Sequence, residues 1–112
     1  MSTFIEKLGA HGIDTQMALS RFAGDEALYE MCFNMLLEDP SFTALGTYIT
    51  NKNYDEAFNA GHTLKGVTGN LELNAMYSVI SAIVESLRSK QYDDLDTQYA
   101  AIMAEYEALK NL

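Results

Sequence analysis

Between positions 73 and 87 the apolar residues return every three or four places: Leu73, Met76, Tyr77, Ile80, Ile83, Val84 and Leu87. A strand exposes alternate residues on opposite faces, so this spacing buries one side of the chain only if the chain is helical. Leu95, Tyr99, Ile102, Tyr106 and Leu109 follow by fours and threes, the spacing of a helix that packs along a seam. Little interrupts such helices, because the chain has one proline and seven glycines. An all-α fold is therefore expected. A chain of 112 residues that is 48% hydrophobic can bury one core, and residues 1–112 are read as one domain.

Sixteen acidic residues stand against seven basic ones, a formal charge of -9. Such a surface repels nucleic acid and anionic lipid alike, so neither is expected as a partner. The single cysteine, Cys32, has no internal partner, and no Cys/His spacing suits zinc. With no apolar run of signal-peptide or membrane-spanning length, a cytoplasmic setting is expected.

Polar caps divide the chain into helical segments by offering oxygens to the free N–H groups of a first helical turn. A lead helix is expected over 2–9, ending near Gly9 or Gly12, and Asp14 caps a second through Phe22. These two short helices should cover one end of the fold. Asp25 opens a third in which Leu28, Met31, Cys32, Met35 and Leu36 share a face. Asp39 and Pro40 suit a cap and a first helical position, with Phe42, Leu45 and Ile49 inward. Asn53 and Glu56 have the spacing of a capping box that opens a helix over about 54–69, and Gly69-Asn70 is a natural left-handed stop. Asp93 or Asp94 caps the last helix. Short loops join the long segments, which predicts an antiparallel up-down-up-down four-helix bundle.

On a wheel of about 100° per residue, Ala57, Ala60, Leu64, Val67 and Leu71 form the inward side of the 54–69 helix. His62 lies about 160° from Leu64 and points to solvent, flanked by Phe58, Lys65, Gly66 and Gly69. The glycines are the unusual feature. Gly61, Gly66 and Gly69 together cost about 2 to 3 kcal/mol of helix stability, and Gly66 lies on the exposed face, where close helix packing does not explain it. Gly66 and Gly69 clear the C-terminal side of the imidazole, and Lys65 stands one turn away. A phosphoryl carrier needs an accessible imidazole nitrogen, clearance and a nearby cation. It needs no metal or nucleotide site of its own if its partner supplies one. His11, in a glycine-bounded turn, is assigned no role.

The run His62-Thr63-Leu64-Lys65-Gly66-Val67-Thr68-Gly69-Asn70-Leu71 resembles the signature of the histidine-containing phosphotransfer (HPt) domains of two-component phosphorelays. The likeness extends upstream to Gly12-Ile13-Asp14, Ala18-Leu19-Ser20-Arg21-Phe22 and Gly24-Asp25-Glu26-Ala27-Leu28-Tyr29; beyond residue 75 only the helical pattern agrees. It implies that His62 is phosphorylated, that Lys65 stabilises the phosphoryl group and that Gly66 gives room to a receiver domain. Phe58, Asn59, Gly66 and Gly69 would form the docking surface, unless Phe58 folds sideways onto a neighbouring helix instead. The partners implied are response-regulator receiver domains and a hybrid sensor kinase, with the receiver supplying Mg²⁺ and the carrier acting as a monomer. Gly61 and Val67 depart from the residues common in that family.

Three other readings compete. The phosphoacceptor segment of a sensor kinase usually has an acidic residue after its histidine, where this chain has Thr63. A metal-binding bundle needs inward Glu-x-x-His pairs, but Asn59 stands three before His62. An adaptor bundle that docks partners without phosphorylation is the main alternative.

Overall fold

A computed structural model describes residues 2–112, which form seven helices and no strand. They are α1 (Thr3–Ala10), α2 (Thr15–Ser20), α3 (Glu26–Leu37), α4 (Ser41–Thr50), α5 (Tyr54–Asn70), α6 (Asn74–Arg88) and α7 (Leu95–Lys110). The all-α expectation holds. Three starts follow from side-chain caps: Ser2, Asp14 and Asp25 accept the amides of Ile5, Met17 and Leu28. Asp39 does the same for α4, its Oδ1 accepting the Ser41 N–H at 2.8 Å. The capping box at Asn53 and Glu56 does not form, since the Asn53 side chain makes no cap hydrogen bond.

Helix ends depart from the expectation in one consistent way. α5 runs through Gly69 and stops at Asn70, and the left-handed residue is Glu72, at φ 58°. The Glu72 amide donates to the Gly69 carbonyl and the Leu73 amide to that of Thr68, the paired bonds of a Schellman turn. Ala23, Lys52 and Lys90 take the same left-handed position after α2, α4 and α6. Each is a non-glycine residue in a conformation glycine adopts at lower cost, so composition did not reveal these stops.

Facing pairs show how the long helices run. Gly69 meets Tyr77 and Gly61 meets Val84, so α5 and α6 are antiparallel. Phe42 lies 4.7 Å from Tyr106 between ring centres and Gly46 meets Tyr99, so α4 and α7 are antiparallel as well. α4 packs on α5, α5 on α6, α6 on α7 and α7 back on α4. The buried apolar side chains, from Ile5 on α1 to Leu109 on α7, form one cluster.

α1 to α3 sit where α5 ends, α6 begins and α7 ends. Tyr29 donates its hydroxyl to the Leu71 carbonyl at 2.6 Å, Arg21 pairs with Glu72 at 2.7 Å, and His11 with Glu105 at 2.7 Å. His11 thus ties α1 to α7. The inward face of α3 is a correction: Tyr29, Phe33 and Leu36 are buried, while Leu28, Met31 and Met35 are exposed. The aromatic rings win because each removes more apolar area from water and finds a ring to pack on. Phe33 meets Phe4 edge-on at 5.1 Å, and Tyr29 meets Phe22 at 5.2 Å.

Two predictions follow from this packing. A Cβ on Gly46 would stand 2.6 Å from the Tyr99 ring, whose hydroxyl is fixed to the Phe42 carbonyl at 2.7 Å. Gly46→Ala should therefore cost about 1 to 3 kcal/mol in chemical denaturation, despite alanine's better helix propensity. Burial first, and the Glu72 carboxylate second, push the Tyr29 hydroxyl well above its ordinary value of 10.0. The folded state then holds that proton more tightly than the unfolded chain, so this contribution is complete below pH 10 and falls as pH rises beyond it. Tyr29→Phe should flatten this alkaline decline in urea titrations, while lowering stability at neutral pH by about 1 to 3 kcal/mol for the unpaired Leu71 carbonyl.

Candidate functional site around His62

The placement of His62 is set by what α5 buries. Its inward face is Ala57, Gly61, Leu64 and Thr68, continued by Leu71 past the helix end. Ala60 and Val67, expected inward, are only half-buried flanks. Thr68 takes the central position because its hydroxyl is satisfied locally, donating to the Leu64 carbonyl at 2.8 Å. Gly61 faces α6, where its Cβ would stand 2.9 Å from Val84 Cγ2. One residue on, about 100° round the helix, His62 is exposed.

Among the described residues no hydrogen bond or ion pair engages either ring nitrogen of His62, in contrast to His11. Its ring lies 5.9 Å from that of Phe58, tilted by 34°. On its other side opens a groove of about 490 Å³ that brings His62 together with Lys65, Gly66 and Gly69. A Cβ on Gly66 would meet nothing within 4 Å. Close packing therefore gives no reason for that glycine. Gly69 is different: its missing Cβ lets the Tyr77 ring come to 3.2 Å of where the Cβ would stand.

Tyr77, expected in the inward repeat of α6, stands at the rim of this groove and is exposed. Its ring carries the Lys65 ammonium, with Nζ 5.8 Å from the ring centre. That contact holds a flexible cation over the groove by attraction to the ring face. Arg21 and Glu72, joined as an ion pair, line the same groove and were missed by the helical-wheel reading, which sees one helix at a time. The sequence signals for Arg21 were that it is one of seven basic residues and that it stands in the Ala18–Phe22 run resembling the HPt family, and neither placed it beside His62.

Two expected docking residues lie apart. Phe58 contacts His62 but is half-buried and turned toward a neighbouring hollow, with the Arg88 guanidinium 5.6 Å from its ring centre. Asn59 is exposed and lines that hollow, not the His62 groove. No group of three or more metal-ligating side chains occurs among the described residues, and no helix is long and apolar enough to cross a membrane.

The site presents one exposed imidazole, with room beside it and two cations, Lys65 and Arg21, lining the same groove. Compared with family models, with curated proteins and with solved structures, the chain matches none.

The glycines give the site a sharp test. Gly66→Ala should raise stability by about 0.5 to 1 kcal/mol, because the new methyl enters open space and the helix gains propensity. Gly61→Ala should lower it, because Val84 or the helix spacing must yield. Thermal melts of the two variants check both signs.

Proposed function

We propose that the chain is a histidine phosphotransfer domain, its α4 to α7 forming an up-down-up-down four-helix bundle capped at one end by the N-terminal helices. It carries a phosphoryl group on His62 between receiver-domain aspartates of a phosphorelay. The observation that carries this reading is an exposed imidazole with unengaged nitrogens, beside a helical glycine that faces open space. The resemblance of the 62–71 run to HPt signatures, and the cyclic packing of α4, α5, α6 and α7, support it further.

In the forward step the unprotonated ring nitrogen of His62 attacks phosphorus of a receiver's aspartyl phosphate. A P–N bond forms, the acyl P–O bond breaks, and its electron pair leaves with the aspartate carboxylate. The other ring nitrogen keeps its proton, so phosphoryl transfer needs no general base. The receiver's own Mg²⁺ supplies charge neutralisation at the phosphoryl oxygens. Lys65, held over Tyr77, offsets the dianion that arrives, and Gly66 lets the receiver approach the nitrogen. Transfer to a second receiver reverses these bonds. No acid, base or metal on this chain is required, which suits a relay whose phosphate must leave as readily as it arrives.

Incubation with a phosphorylated receiver domain and Mg²⁺ should place acid-labile, alkali-stable phosphate on the wild type and none on His62→Gln. Gly66→Leu should fold yet take up phosphate at least about tenfold more slowly, because the side chain fills the approach. Absence of label from the wild type across several receivers, with binding retained, would favour the adaptor reading. Label on both proteins would move the acceptor off His62.

A further inference from the structure

The geometry points to Arg21 as a second phosphoryl-binding residue of the His62 groove, oriented for that role by Glu72; this inference rests on the phosphotransfer reading above. Arg21 follows α2, forty-one positions before His62 in sequence, yet both line one groove with Lys65.

How the pair is made matters more than that it exists. Arg21 uses only Nε, which donates to Glu72 Oε1 at 2.7 Å. Among the described residues its Nη1 and Nη2 groups donate to nothing, although a guanidinium has five N–H donors in a rigid fork. A carboxylate satisfied at Nε fixes the plane of the fork and leaves the fork itself open. Glu72 is the anchored partner, its side chain 12% exposed against 48% for Arg21. Its charge adds to the burial that raises the Tyr29 hydroxyl above its ordinary value, while that hydroxyl is committed to the Leu71 carbonyl. Glu72 is held in the turn that ends α5, the helix carrying His62, by its own amide, which donates to the Gly69 carbonyl.

A phosphoryl group on His62 brings a dianion with three acceptor oxygens into this groove. Lys65 offers a single charged centre to it, whereas the free fork of Arg21 can take two oxygens at once. Binding there need not break the Glu72 pair, because Nε stays with the carboxylate. The short N-terminal helices then do more than cover an end of the fold: α2 delivers a cation that α5 does not carry. Both phosphoryl-facing cations come from a chain with only seven basic residues.

Phosphoramidate is the probe, because it tests the carrier's own groove without a receiver. The His62 nitrogen forms its P–N bond as the P–N bond of the reagent breaks and ammonia leaves. Wild type, Arg21→Lys and Arg21→Gln are labelled side by side and followed by ³¹P NMR. Arg21→Gln should label about tenfold more slowly than wild type, Arg21→Lys should recover part of the rate, and the phosphohistidine ³¹P shift should differ among the three. In wild type alone, the Arg21 Nη–H resonances should shift on phosphorylation while Nε–H keeps its bonded position, a readout independent of whether either variant folds. Equal labelling rates and ³¹P shifts in all three, or Arg21 resonances unmoved by phosphorylation, would remove Arg21 from the site and leave the carrier reading standing. Wild type that takes no label on His62 would remove both.

Discussion

The contact between Gly61 and Val84 sets the orientation on which the rest of the site depends. With no Cβ at position 61, α5 lies close enough to α6 that Val84 Cγ2 occupies space where a methyl would stand 2.9 Å away. That fixes which side of α5 is buried, and so turns the next residue, His62, outward by the helical step alone. Gly69 does the same at the other end of the helix for the ring of Tyr77. The two glycines therefore locate the groove, while Gly66 between them keeps its floor bare.

The charges in the groove are held by neighbours of different kinds. Lys65 rests on an aromatic face, and among the described residues its ammonium donates no hydrogen bond to an oxygen or nitrogen. Arg21 is held by one hydrogen-bonded carboxylate, which leaves its fork free. Both arrangements place positive charge near His62 without tying it up, in a chain whose overall charge of -9 works against anion binding. Local placement of cations can outweigh net charge, because interactions at contact distance are far less screened than those across the molecule.

Much of the site was legible from the 62–71 run. His62 on the exposed face, with Lys65 and Gly66 beside it, follows from a wheel and the properties of glycine. The wheel erred by a small rotation, placing Ala60 and Val67 inward where Gly61 and Thr68 lie, because it weighs hydrophobicity and not a hydroxyl that bonds its own helix. Gly69 was misread as a stop because glycine is the residue most at ease in a left-handed turn, whereas here Glu72 takes that conformation.

The sequence alone determined the helical class, the caps at Asp14, Asp25 and Asp39, and the outward histidine, since each depends on residues within a turn or two of one another. Tertiary structure alone decided the inward face of α3 and the arrival of Arg21 and Tyr77 beside His62. On α3, Leu28, Tyr29, Met31, Cys32, Phe33, Met35, Leu36 and Leu37 are apolar or aromatic nearly all the way round. Spacing cannot choose a face on such a helix; Phe4 and Phe22 choose it, by offering rings to Phe33 and Tyr29. Arg21 reaches the groove only because α2 is carried to the end of α5 by packing between residues about fifty positions apart, a separation at which no local periodicity operates.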